Sequence, residues 1–129
     1  MRKLTVVLLA LLAMTTLVYA KGFEVTKQAG PFSVTVMLDK NPPVVGNNAV
    51  TVAIKDAAGI AVTNATVRLE YGMPAMPGMH PMHYKAATQV RGALYAGTLN
   101  FSMAGPWYLN VKIVRDGKTE TVKLNIDIR

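Results

Sequence analysis

The sequence predicts an all-β chain, folded as an immunoglobulin-like antiparallel β-sandwich of about seven strands. Three observations carry this. Apolar and polar residues alternate with period two along most of the chain. Glycine, proline, asparagine and aspartate punctuate the runs at regular intervals. No stretch of ten residues beyond the N-terminus repeats with a helical period.

Taken in order, Phe32, Val34, Val36 and Leu38 alternate with Ser33, Thr35 and Met37, and Val50, Val52 and Ile54 with Thr51, Ala53 and Lys55. Val67, Leu69 and Tyr71 then alternate with Thr66, Arg68 and Glu70, and Tyr84 to Val90 reads as a weaker strand. A strand beginning near Leu94 ends with Leu99, Phe101 and Met103 on one parity. Trp107, Leu109, Val111 and Ile113 form one apolar row, and Val122, Leu124, Ile126 and Ile128 another. One apolar and one polar face per strand is the pattern of antiparallel sheets wet on one side. Asn41-Pro42-Pro43, Gly46-Asn47-Asn48 and Ala104-Gly105-Pro106 are breaks. Asp56 to Gly59 and Asp116-Gly117 read as hairpin turns, the second of type I′. Trp107, leading an apolar row, is the expected core anchor, and Met73 and Met103, which continue the parity of their strands, read as core.

Residues 1–20 are expected to be a secretory signal peptide. Arg2 and Lys3 precede an apolar run, and Val18-Tyr19-Ala20 has the small residues of a cleavage site after Ala20. The remaining residues, 21–129, suit one domain. A periplasmic or otherwise extracytoplasmic location follows, with membrane contact only through the N-terminal segment where it stays uncut. No cysteine is present, so burial rather than disulfides must hold the fold, and thiolate sites are excluded. The chain has 14 basic and 7 acidic residues, and without Arg2 and Lys3 the balance is 12 to 7. The basic residues stand singly, without interleaved aromatics, which reads as a solvated surface and not as a nucleic-acid binder. Ser33 and Ser102, the only serines, lie in no nucleophile motif, and no glycine-rich phosphate loop is present. The sequence therefore predicts no enzyme.

The chemically distinctive segment is M-P-A-M-P-G-M-H-P-M-H, residues 73–83. It spaces Met73, Met76, Met79 and Met82 three apart and adds His80 and His83. Thioether sulfur with imidazole suits Cu(I), or Ag(I) as the alternative soft ion, far better than Mg²⁺ or Ca²⁺. A straight polyproline II rod would place successive methionines roughly 9 Å apart, at a rise of ~3.1 Å per residue, too far to share one ion. Met76-Pro77-Gly78-Met79, however, has proline and glycine at the central positions of a type II turn, which brings its ends within about 7 Å. Met76 and Met79 then face one ion, with His80 or His83 as third ligand. An imidazole ligand would weaken binding as pH falls below ~6.5. The opposing reading is that these methionines are packing filler or an adaptable protein-binding surface, independent of metal. No carboxylate partner is apparent beside the histidines.

Four motifs occur together: N-P-P-V-V-G-N-N (residues 41–48), K-D-A-A-G (55–59), M-P-A-M-P-G-M (73–79) and F-S-M-A-G-P-W (101–107). Their order and spacing resemble the YtkA-like domain of the FixH family, over about residues 32–128. The resemblance implies a small extracytoplasmic sandwich linked to copper handling. Its implied partners are an envelope metal-transport or oxidase-assembly protein, and its methionine–proline loop maps onto Met73, Met76 and Met79, extended here by Met82. FixH proteins keep a membrane helix, whereas this chain is expected to be cut free at Ala20. A soluble metallochaperone or an accessory to a copper-handling complex is therefore expected.

Overall fold

The computed structural model describes residues 22–129; the expected signal segment lies outside them. They form nine strands: β1 (Phe23–Ala29), β2 (Phe32–Leu38), β3 (Gly46–Lys55), β4 (Thr66–Met73), β5 (Met82–Ala87), β6 (Gln89–Arg91), β7 (Leu94–Phe101), β8 (Gly105–Arg115) and β9 (Lys118–Ile128). One antiparallel sheet has the order β1-β2-β3-β7-β6 and the other β5-β4-β8-β9. The all-β sandwich is as expected, with two more strands than predicted.

Both additions have a physical reason. β1 pairs with β2 along its whole length but is an edge strand, and only Ala29 on it is fully buried, so its alternation is faint. The weak run from Tyr84 to Val90 is two strands, because the chain changes sheet at Thr88: β5 pairs with β4, and β6 with β7. The Thr88 hydroxyl donates to the Val67 carbonyl at 2.7 Å and fixes this crossing. One expected break and one expected hairpin are also corrected. Gly46 to Asn48 lie within β3, paired with the end of β7. Asp56 to Gly59 form a tight turn, with Gly59 N–H on the Asp56 carbonyl at 3.0 Å. This turn closes only an isolated Lys55–Ala61 bridge before the chain crosses to the second sheet.

Each expected apolar row faces the other sheet. Val34, Val36, Val52, Leu69, Leu99, Leu109, Val111 and Ile113 have no more than traces of exposed surface. Burying such a side chain stabilises by roughly 1.5–3 kcal/mol, so these rows supply what a cysteine-free domain lacks in cross-links. Tyr95 reaches across the interior, donating to the Val62 carbonyl at 2.9 Å and accepting from Ala65 N–H at 3.1 Å. Asn48, the one fully buried polar side chain among the described residues, bonds the carbonyls of Val44 and Gly46 and the Val44 amide. That side chain folds the proline-containing loop ahead of β3 onto itself. At one end of the sandwich β8 and β9 join through Asp116-Gly117, with φ of 52° and 74°, the expected type I′ turn. At the other end stands the methionine hairpin.

Candidate soft-metal site at the methionine hairpin

Residues 73–82 close β4 and β5 into a hairpin whose last strand pair is Met73 with Met82. At its tip Met76 and Met79 pair across Pro77-Gly78, with Met79 N–H donating to the Met76 carbonyl at 3.0 Å and φ of 80° at Gly78. This is the expected type II turn, and its positive φ is the reason for glycine there. The four methionines therefore stand as two pairs across the limbs of the hairpin, one at its base and one at its tip, instead of along a rod.

The pairs differ in burial. Met73 is 2% exposed, and its methyl occupies the space beside Gly105 that a β-carbon would fill. Met73 is thus core, and as a metal-ligand candidate its sulfur is sealed from solvent. Met76 and Met82 are half-buried against the core, and Met79 is 40% exposed. The Met82 sulfur accepts hydroxyls from Tyr84 at 3.5 Å and Ser102 at 3.7 Å. Beneath lies an aromatic floor: Phe101 on Trp107 at 5.1 Å, Tyr71 on Tyr84 at 5.5 Å and Tyr84 on Trp107 at 6.1 Å between ring centroids.

The histidines part company. Successive side chains of a strand point to opposite faces, so His83 lies on the outer surface while Met82 faces in. His83 pairs there with Gly72, stacks against Tyr108 at 6.4 Å and holds its Nε2 3.7 Å from the Glu70 carboxylate. Sequence distance hid this carboxylate; strand register brings it to the histidine. Lys112 binds the same carboxylate at 3.0 Å. The Lys112 hydrogen bond, then its charge and those of His83 and Lys85, hold the Glu70 carboxyl below the usual carboxylate range. His80 is exposed, in the limb between the turn and β5.

Met103 corrects a second expectation. It is 37% exposed, because β7 ends at Phe101 and the parity of that strand does not extend into the bend. Trp107 Nε1 donates to the Met103 carbonyl at 2.9 Å and fixes the bend. Ser102, the residue before Met103, donates its hydroxyl to the Met82 sulfur, so the bend that carries Met103 lies beside the hairpin. The break at Ala104-Gly105-Pro106, directly after Met103, was the signal that the strand stops short of it.

Among the described residues no three histidine, aspartate or glutamate side chains gather as a metal-binding group. What the hairpin offers an ion is thioether sulfur with one imidazole at its margin, a soft donor set. Residues 26–112 match the family described as YtkA-like, a span that runs from β1 into β8 and contains the whole hairpin. No curated protein and no solved structure gives a significant match.

Proposed function

We propose, from the premise that this chain belongs to the YtkA-like family, that it holds Cu(I), or Ag(I), as cargo at the methionine hairpin. Its role is that of an exported metal-binding protein or metallochaperone serving an envelope metal-transport or oxidase-assembly complex. The observation that carries the reading is the type II turn that pairs half-buried Met76 with exposed Met79. Thioethers match a soft monovalent ion, and two of them are brought across one turn without sacrificing core packing. The third donor is Met82, on the inner side, or the exposed His80, and not His83, whose ring is engaged by Glu70 and Tyr108 on the outer surface. Kinship with FixH proteins specifically, and with it a part in oxidase assembly, belongs to the same proposal and rests on the four shared motifs.

The test is a titration of the full chain with Cu(I), under reducing conditions, against a chromophoric chelator. Trp107, the only tryptophan, hydrogen-bonds beside Met103 and serves as a local fluorescence reporter. Near one-to-one binding is expected, abolished by Met76→Leu with Met79→Leu and unchanged by His83→Ala. Binding that survives the double substitution contradicts the site. A second reading has its own support: Met79, Tyr84 and Met103 are all exposed at this end, an adaptable apolar surface for a protein partner. Capture of an envelope partner that chelation of copper leaves unchanged would favour it.

A further inference from the structure

Strand register gathers charges that stand singly in the sequence onto the outer face of the four-stranded sheet. Arg68 on β4 lies directly opposite Lys112 on β8. Two residue pairs further along, the next row on this face, Lys85, Glu70, Asn110 and Lys123 line up across all four strands. Directly opposed like charges weaken a sheet, so Arg68 beside Lys112 is a cost that folding alone does not explain. Among the described residues the face carries one central carboxylate, Glu70, and Lys112 and His83 engage it. No carboxylate lies within ion-pair distance of Arg68, Lys85 or Lys123 among those residues, and Asp127 stands at the margin opposite Pro106. Four cations against Glu70 leave a net of three positive charges on a flat patch about 14 Å across the strands and about 7 Å along them, from strand spacing and rise. That approaches the screening length at physiological salt, about 8 Å, so the charges act together.

The opposite sheet differs. Its outer face shows small, mostly neutral side chains such as Thr35, Ala53, Ala49 and Thr98, with Lys55 and Arg91 at its periphery.

We propose that the outer face of the four-stranded sheet docks on the anionic surface of a lipid bilayer. Charge complementarity selects an anionic occupant. The arrangement selects a bilayer: the cations are spread over a plane and do not converge on a pocket, which suits a delocalised layer of headgroups better than one bound anion. Tyr108, at one rim, adds an aromatic suited to an interface. Docked this way, the inner side of the methionine hairpin faces away from the lipid. The inference goes beyond the metal-binding reading and does not depend on it.

The experiment is co-sedimentation of the full chain with vesicles of phosphatidylglycerol and phosphatidylcholine, against phosphatidylcholine alone. Excess binding to the anionic vesicles is expected, disappearing by about 0.5 M salt. Lys85→Glu with Lys123→Glu should reduce that excess about tenfold or more. Lys55→Glu with Arg91→Glu changes net charge equally on the other sheet and should leave it within about twofold. The control pair also cancels any contribution of the apolar N-terminal segment. Equal losses in the two double variants, or no preference for anionic vesicles, overturn the proposal. Binding to soluble polyglutamate without vesicle binding, lost in Lys85→Glu/Lys123→Glu, overturns it in favour of an acidic protein face.

Discussion

Strand β5 turns Met82 and Tyr84 towards the interior and His83 and Lys85 towards the outer surface. On the inner side, Met82 packs against the core, its sulfur accepts two hydroxyls, and the Tyr84 ring stacks on Trp107. On the outer side, His83 lies 3.7 Å from the Glu70 carboxylate and Lys85 stands opposite Glu70 in register. A period of two thus sorts soft from charged chemistry on one six-residue strand. The contrast teaches that neighbours in sequence are poor guides to a shared site on a strand. Met82 and His83 are adjacent and serve different surfaces.

The largest expected effect comes from removing what the inner side rests on. Trp107→Ala should cost about 4 kcal/mol in chemical denaturation, since a large buried ring leaves a cavity beneath the hairpin. A loss under about 1 kcal/mol would mean the aromatic floor is not tightly packed. Next is the pairing that creates the two sides. A β-carbon at Gly72 would collide with the Met82 carbonyl and approach the Tyr108 hydroxyl at 2.8 Å. Gly72→Ala should therefore cost about 3 kcal/mol and loosen β5 from β4, seen as faster amide exchange in Met82–Ala87. Exchange unchanged in β5 would show that the edge strand tolerates the shift.

The sides then separate in function. Met76→Leu with Met79→Leu, close in volume, should cost less than about 1.5 kcal/mol of stability while removing Cu(I) binding. Glu70→Gln should do the reverse, leaving Cu(I) affinity unchanged. Its effect on stability is the smallest of the four, because the ion pairs it breaks are partly solvated. The folded-state pKa of Glu70 is lowered, so its contribution is present above the ordinary carboxylate pKa and lost as pH falls through the lowered value. The difference between wild type and Glu70→Gln should accordingly be visible in thermal melts at pH 7 and vanish in strong acid. A difference that grows in acid would reverse the assigned sign.

Much of this was legible beforehand where one rule governs one stretch. The core rows follow from alternation, and the Pro77-Gly78 and Asp116-Gly117 turns from the φ values those residues favour. What escaped depended on pairing between distant strands. β1 is an edge with little buried surface, so it carries little pattern. The change of sheet at Thr88 is a tertiary event held by a bond to Val67. Met103 continues an apolar parity in sequence but lies past the strand's end. Glu70 meets His83, and Arg68 meets Lys112, only through register. The positive charges looked scattered for the same reason.

The most direct measurement is X-ray absorption at the copper edge of the Cu(I)-loaded full chain, compared with its Met76→Leu/Met79→Leu variant. The account predicts a first shell dominated by sulfur that disappears with the double substitution. A shell of nitrogen and oxygen alone, or a sulfur shell unchanged in the variant, would contradict it.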